Sequence, residues 1–135
     1  MLDQGEINYS NNTSNSPTEN LNFTIKPSDN MAIVEIKSFV YYNNDLPIFK
    51  SFIDSCFSQI ELHNIKNVVI DLRNNGGGDP YCAAHLLQYI SDSPFKYYKK
   101  DITSYYEDLT EQTKPFKNNY KGKLYVLINS LCCST

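Results

Sequence analysis

The chain has 135 residues, of which 41% are hydrophobic and 13% aromatic, and its formal net charge is -3. This composition can form a core, so it excludes a fully disordered chain and fits one domain or a large piece of a bigger one. The acidic balance argues against a nucleic-acid-binding protein, and no apolar run is long enough to cross a bilayer.

Residues 1–20 are rich in asparagine, serine and threonine and poor in apolar residues. Such a composition predicts a disordered tail or linker, so we place the start of the folded core at residue 21. The first residues also lack the basic start and the apolar stretch of a secretory signal. The sequence leaves the cellular compartment open.

The first structured elements are a hairpin, a helix and a strand. Alternating apolar and polar residues over 22–26 and 31–40 predict two strands, and the Pro-Ser-Asp-Asn turn between them predicts a hairpin. Residues 45–63 place apolar side chains at helical spacing, with Pro47 suited to the first turn, and predict an amphipathic helix. The apolar segment over 67–72 predicts a short strand that is buried on both faces.

The second half of the chain continues this alternation. A helix is predicted over 80–91, with Asp79 as its N-cap. A short strand is predicted over 95–98, a loop or lid with a little helix over 101–121, and a buried strand over 123–129. The apolar positions predicted for the helix are Ala83, Ala84, Leu87 and Ile90.

The order of elements predicts an α/β fold in which a hairpin is followed by alternating helices and mostly parallel strands. Reactive groups in such sheets gather at the carboxyl ends of the strands. The segments 71–79 and 129–135 follow the two most apolar strands. They are therefore the first indication of a site.

Three consecutive glycines, Gly76, Gly77 and Gly78, stand between the apolar strand and the next helix. Glycines cost backbone entropy, and one use that requires them is a close approach of backbone N–H groups to an anionic oxygen beside a helix N-terminus. A P-loop is excluded because no Gly-Lys-Ser/Thr follows, and a dinucleotide site because its glycine spacing is absent. A tight βα turn without function is the alternative interpretation.

The residues that flank the glycines carry a family resemblance. The segment Asp-Leu-Arg-Asn-Asn before the glycines resembles the motif Asp-Leu-Arg-x-Asn-x-Gly-Gly of the C-terminal processing (tail-specific) serine peptidases, and the similarity runs from about Met31 to Thr135. Gly76 stands where relatives often have proline. The resemblance implies a crotonase-like β-α sandwich. The residues that match the motif are Asp71, Arg73, Asn75, Gly77 and Gly78.

The resemblance also implies roles for these residues. The amide of Gly77 would help to form an oxyanion hole, which can supply several kcal/mol to a tetrahedral intermediate. Asp71 and Arg73 would hold the turn together by ion pairing and hydrogen bonds. The remaining motif positions would support this loop; they are Asn75, Gly76 and Gly78.

The end of the chain resembles the segment in which the family carries its nucleophile. Alignment of Asn129 with the asparagine that ends the family's buried strand places Ser134 at the nucleophile position, and the amide of Thr135 then becomes the second oxyanion donor. A serine at a helix N-terminus suits this chemistry because the helix dipole favours negative charge. Serine is also a common N-cap, which is the alternative role of Ser134. Ser130 lies too close to the strand end.

None of the four cysteines stands in C-x-x-C spacing, so neither a disulfide framework nor a zinc site is indicated, and we expect no metal and no cofactor. Cys132 or Cys133 would act as a nucleophile only with a histidine partner. His63 is expected at the end of the first helix and His85 as a partly exposed residue of the second. Neither suggests such a partner.

A catalytic serine needs a general base. The resemblance implies a lysine beyond residue 135, or, as in some relatives, a histidine placed earlier with a glutamate placed later; neither His63 nor His85 matches that alternative. We therefore expect residues 21–135 to be an incomplete peptidase catalytic core, truncated before its base, that acts on protein or peptide substrates. Alone, this chain is expected to be inactive and to self-associate through an unfinished sheet edge. The alternative is a non-catalytic module that binds peptides or hydrophobic ligands on the same fold.

Overall fold

The computed structural model describes residues 7–9, 18–99 and 105–132. The described strands form one five-stranded sheet in which spatial order follows chain order. These strands are β1 (Ile7–Tyr9), β2 (Leu21–Lys26), β3 (Met31–Ile36), β4 (Asn67–Asp71) and β5 (Lys123–Leu127). The pairs β1–β2 and β2–β3 are antiparallel, whereas β3, β4 and β5 run parallel. The predicted α/β fold is confirmed.

The β2–β3 hairpin forms where the alternating pattern predicts it. Its connection is a short 3-10 helix, Pro27–Asp29, followed by Asn30 in the left-handed conformation with φ 54°. Opposite residues such as Phe23 and Val34 are both buried. β1 was not predicted, because it lies within the polar range 1–20 and its pairing with β2 is a long-range interaction that composition does not reveal.

Two helices connect and follow the parallel strands. Helix α1 (Leu46–Leu62) joins β3 to β4, and helix α2 (Pro80–Ile90) follows β4. The two helices pack against each other. Helical spacing brings the apolar residues of α1 onto one buried face, as predicted. The buried residues of this face are Phe49, Ile53, Cys56, Phe57 and Ile60.

Helix α2 confirms the predicted helix and its N-cap but corrects the predicted buried face. Asp79 caps the helix, since its Oδ1 accepts the Tyr81 N–H at 2.9 Å. Three of the predicted apolar positions, Ala83, Leu87 and Ile90, are only half-buried. The buried residues of the helix include two aromatic residues with polar atoms, His85 and Tyr89; the full buried set is Pro80, Cys82, Ala84, His85, Leu86 and Tyr89.

Contacts with α1 explain why the buried face of α2 differs from the predicted one. His85 Nε2 lies 2.7 Å from Asp54 Oδ1, and the Tyr89 hydroxyl donates to the same oxygen at 2.7 Å. The Tyr89 ring stacks on Phe57 with 4.4 Å between centroids. Because these polar atoms have partners, the helix interface can bury them. The expectation that His85 is partly exposed was therefore wrong.

The central strand β4 and the edge strand β5 differ in burial. Val68 and Ile70 of β4 are fully buried, and Val69 on the opposite face is half-buried. The prediction of a buried last strand was wrong, because β5 has one described neighbour, β4, and most of its side chains are exposed. Val126 is 51% exposed and Ile128, just beyond the strand, 68%. Self-association through this edge stays a prediction.

The segment between α2 and β5 has little regular structure, as predicted. The strand predicted over 95–98 is reduced to one antiparallel bridge between Phe95 and Thr113. A 3-10 helix, Glu107–Thr110, is the only helix within its described parts, 91–99 and 105–122. Over the described ranges as a whole, no helix has the length and apolar character that crossing a membrane requires.

Candidate active site

The loop after β4 begins with an ion pair. Asp71 is buried at the end of the strand, and the exposed Arg73 turns back to it. The Arg73 Nε donates to Asp71 Oδ1 at 2.9 Å and an Arg73 terminal nitrogen to Oδ2 at 2.6 Å. The Arg73 backbone N–H donates to Oδ1 at 3.1 Å. This short-range clamp fixes the direction in which the chain leaves the sheet.

Asn75 connects the loop to the neighbouring strand. Its side chain is buried, with 3% of the residue exposed. The side-chain amide donates to the Ile36 carbonyl, at the end of β3, over 2.9 Å, and its Oδ1 accepts the Gly77 N–H over 2.8 Å. One residue thereby satisfies a backbone acceptor of β3 and a backbone donor of the glycine segment.

The glycine segment lies directly against the backbone that follows β3. Gly77 and Gly78 have φ values of 88° and 146°, which strongly favour glycine. The Phe39 N–H donates to the Gly77 carbonyl at 3.0 Å, and the Asp79 N–H donates to the Phe39 carbonyl at 2.7 Å. A Cβ added to Gly78 would lie 2.2 Å from the Phe39 carbonyl carbon, whereas one on Gly76 would meet nothing within 4 Å.

The two amides of this segment differ in their partners. The Gly77 N–H, the predicted oxyanion donor, already donates to Asn75. The Gly78 N–H forms no hydrogen bond with any residue of the described ranges. The N-terminus of α2 begins two residues later, and its dipole favours negative charge near these amides.

The end of β5 is fastened to the loop after β4. The Asn74 N–H donates to Asn129 Oδ1 at 3.0 Å, and the Asn129 side-chain amide donates to Asn74 Oδ1 at 2.8 Å. The Cys132 thiol donates to the Leu72 carbonyl at 2.9 Å. The two polar segments singled out from the sequence therefore meet at the carboxyl edge of the sheet.

These contacts place most of the predicted site. Five motif residues lie on one loop, and the segment that leads to Ser134 is held beside it. Ser134, Thr135 and Cys133 themselves lie outside the described residues. In the described part of the chain, no group of three or more His, Cys, Asp or Glu residues could hold a metal ion. The five motif residues are Asp71, Arg73, Asn75, Gly77 and Gly78, and Gly76 lies on the same loop.

Comparisons with known proteins agree with this arrangement. Residues 30–135 match the family model for peptidase family S41. The chain belongs to this family. The prediction of a peptidase family from the motif after β4 is confirmed.

A solved structure shows the same fold as this family S41 chain. It is named as a putative peptidase from Parabacteroides merdae, is 16% identical in sequence and superposes with a TM-score of 0.56. The match covers 82% of this chain and 35% of that one, so this chain spans about a third of its length. At this identity the likeness concerns the fold alone. A search of the curated proteins gave no match.

Several contacts of this family S41 site were not predicted from the sequence. The reciprocal pair of Asn74 and Asn129 had one signal, which was the presence of an asparagine after each of two apolar strands. The bond from Cys132 to Leu72 had none, since Cys132 was considered only as an alternative nucleophile. Phe39 contacts the glycine loop through its backbone N–H and carbonyl, and backbone hydrogen bonds cannot be predicted from residue type.

The ion pair of Asp71 with Arg73 predicts a loss of stability in acid. The hydrogen bonds from Arg73 hold the pKa of Asp71 below its ordinary value. A carboxyl with a lowered folded-state pKa stabilises the protein above its unfolded pKa, about 3.9, and this contribution disappears as the pH falls through the folded-state pKa. We expect Arg73→Ala to destabilise the protein at pH 7 and this difference to shrink as the pH falls through the folded-state pKa of Asp71.

Urea unfolding of both proteins across this pH range measures the difference. Arg73→Lys is the matched control, since it keeps the charge but loses the two-point geometry. It should recover only part of the stability at pH 7. A difference between wild type and Arg73→Ala that stays constant from pH 7 to pH 2 would contradict the linkage.

Proposed function

We propose that this chain supplies the reactive serine and the oxyanion-binding loop of a serine endopeptidase. The Ser134 Oγ attacks the carbonyl carbon of a peptide bond while a general base takes its proton. The tetrahedral oxyanion then collapses to an acyl-enzyme, the amine leaves with that proton, and water releases the acid. Proteins or peptides are the substrates.

One observation carries this proposal. The residues that lead to Ser134 are tied to the glycine loop by the Asn74–Asn129 pair and by Cys132, which stands two positions before the serine. In this proposal Ser134, two residues further along the sequence than Cys132, reaches the backbone donors of the glycine loop. That proximity is what acyl transfer requires of a serine and an oxyanion hole.

Gly77 and Thr135 are the proposed amide donors. The Gly77 N–H donates to Asn75 in the resting chain, so a substrate oxyanion must share or replace that acceptor. The adjacent Gly78 N–H has no such bond among the described residues and is proposed as a further donor to the oxyanion. Asn75 then acts on the site by fixing the segment that carries both amides.

The general base is proposed to come from outside these 135 residues. Among the described histidines, the His85 ring is bonded to Asp54 in the interface between α1 and α2, away from the glycine loop. The chain alone is therefore expected to bind but not to hydrolyse a peptide. Hydrolysis requires the general base that the resemblance implies beyond residue 135.

A fluorophosphonate probe tests the nucleophile. The protein expressed from its complete reading frame should be labelled covalently, because the probe phosphonylates an activated serine. Ser134→Ala should abolish the labelling, whereas the control Ser130→Ala should retain it. Equal labelling of wild type and Ser134→Ala would refute the assignment. A wild type that binds peptides but never labels would instead favour the non-catalytic binding module.

A further inference from the structure

Two asparagines join the loop after β4 to the turn after β5. The Asn74 N–H donates to Asn129 Oδ1 at 3.0 Å, and the Asn129 side-chain amide donates to Asn74 Oδ1 at 2.8 Å. Asn74 occupies the first x position of the motif Asp-Leu-Arg-x-Asn-x-Gly-Gly, so the motif assigns it no role. It is nevertheless one half of the contact between the two segments of the site. We call these two residues the asparagine pair.

Asn74 has a backbone conformation that few side chains adopt. Its φ of 66° lies in the left-handed region, which asparagine occupies more readily than most residues. Both bonds of the asparagine pair lie at the protein surface, where water can take the place of either partner. They therefore contribute little to the stability of the whole fold. Their main consequence is local, because they fix one segment of the site against the other.

Asn129 also shapes the turn that leads towards Ser134. Its Oδ1 accepts the Leu131 N–H at 3.2 Å, and its carbonyl accepts the Cys132 N–H at 3.1 Å. The Asn129 N–H donates to the Cys132 sulfur at 3.4 Å, and the thiol donates to the Leu72 carbonyl at 2.9 Å. One side-chain oxygen of Asn129 thus holds both the loop after β4 and the turn from which the chain continues to the serine.

We propose that the asparagine pair positions Ser134 against the amides of the glycine loop and thereby sets the reactivity of the serine. This inference rests on the proposed peptidase function and assigns to Asn74 a role that the motif does not. The three glycines begin two positions after Asn74, and Ser134 follows Asn129 by five. Neither asparagine touches the reacting atoms. The pair acts through geometry, since a displacement of about 1 Å can cost about a hundredfold in rate.

The two bonds predict which substitutions the asparagine pair tolerates. With aspartate at position 74, the Asn129 amide can still donate to the new carboxylate. With aspartate at position 129, the Asn74 amide can donate after it rotates, and the carboxylate still accepts the Asn74 N–H. With aspartate at both positions, no donor remains between the side chains, and two like charges face each other. Either single change should therefore be mild, and the two together severe.

Fluorophosphonate labelling rates test this expectation in the protein expressed from its complete reading frame. Asn74→Asp and Asn129→Asp should each label within about threefold of the wild-type rate, whereas the double variant should label about a hundredfold more slowly. The control Asn118→Asp adds a carboxylate at an exposed residue whose side chain makes one long contact to Glu61, and it should leave the rate unchanged. A double variant no slower than the product of the two single effects would overturn the inference.

The pH dependence of the double variant is the second readout. Two facing carboxylates can share one proton, because the charge of the first raises the pKa of the second. Lowering the pH from about 8 to about 5 should restore a hydrogen bond between them and raise the labelling rate, relative to wild type, by about tenfold or more. A ratio that stays constant would overturn the inference, since a proton does not repair general damage to the loop.

Other titratable groups near the asparagine pair are common to all these proteins. The loop after β4 carries one ion pair, the end of β3 carries another, and the turn after β5 carries a thiol. Their own titration therefore cancels when each rate is divided by the wild-type rate at the same pH. These groups are Asp71 with Arg73, Glu35 with Lys37, and Cys132.

Circular dichroism establishes that each variant folds before its rate is compared. If the double variant does not fold, Asn129→Ala replaces it: both bonds are lost, so labelling should fall about a hundredfold, whereas the control Asn118→Ala should label as wild type does. An Asn129→Ala protein that labels at the wild-type rate would overturn the inference.

The same labelling separates this inference from the proposed function. A wild type that labels at Ser134, with all variants of the asparagine pair labelling equally fast, refutes the positioning role and leaves the peptidase proposal intact. A wild type that never labels refutes both proposals, because no reaction then remains for the pair to align.

Discussion

Gly78→Ala is expected to lower the free energy of unfolding by about 3 to 5 kcal/mol. The alanine Cβ would lie 2.2 Å from the Phe39 carbonyl carbon and 2.5 Å from the Val40 nitrogen, which are backbone atoms that cannot rotate away. The φ of 146° adds a conformational cost, since side chains rarely adopt this region. The loop must therefore separate from Phe39 and break its two backbone bonds.

The matched control for this effect is Gly76→Ala. A Cβ at Gly76 meets nothing within 4 Å, so this change should alter stability by less than about 1 kcal/mol. Urea unfolding followed by circular dichroism measures both variants. If Gly78→Ala and Gly76→Ala lower the free energy of unfolding equally, Gly78 does not pack closely against Phe39. Fluorophosphonate labelling should also be weakened by Gly78→Ala alone, because only that change moves the proposed oxyanion donors.

The elements that local patterns encode were predictable from the sequence. The buried face of α1 follows from helical spacing, and the β2–β3 hairpin follows from alternation with a proline-led turn between the strands. Asp79 as an N-cap before Pro80 is a signal contained in two adjacent residues. In each case the interactions that decide the structure lie within a few positions along the chain.

Features set by distant neighbours were not predictable. The apolar composition of β5 indicated burial, but burial depends on what lies beside the strand, and its side chains face solvent over most of the described strand. β1 lies within the polar range 1–20 and is paired with β2. The buried face of α2 depends on Asp54 and Phe57 of α1, which accept or stack against polar-tipped side chains that simple hydrophobic patterns count as exposed.

The candidate site was likewise predictable only in part. Its loop was found from the motif, and its residues do lie together at the end of β4. The hydrogen bonds that organise it were not visible, because asparagine side chains can pair with almost any backbone group. Asn75 had been assigned only a supporting role, yet it fixes both β3 and the predicted oxyanion donor.

Asn75→Ala is accordingly expected to cost about 2 to 4 kcal/mol of stability. The change leaves two buried backbone groups, the Ile36 carbonyl and the Gly77 N–H, without their partner, and each such group costs about 1 to 3 kcal/mol. The exposed residue Asn118, whose side chain makes a single long contact of 3.5 Å to Glu61, offers the control Asn118→Ala, which should be nearly neutral. Urea unfolding at pH 7 compares the three proteins.

Asn75→Asp separates the two bonds, because the substitution keeps the acceptor for Gly77 and removes the donor to Ile36. A carboxylate in this buried position would face a carbonyl oxygen, so its pKa should rise in the folded state. The destabilisation is then absent below the unfolded pKa, about 3.9, and grows as the pH rises through the folded-state value. This is opposite in sign to the dependence expected from Asp71. Stability of Asn75→Asp that improved, relative to wild type, as the pH rose would show that the bond to Ile36 does not hold the loop.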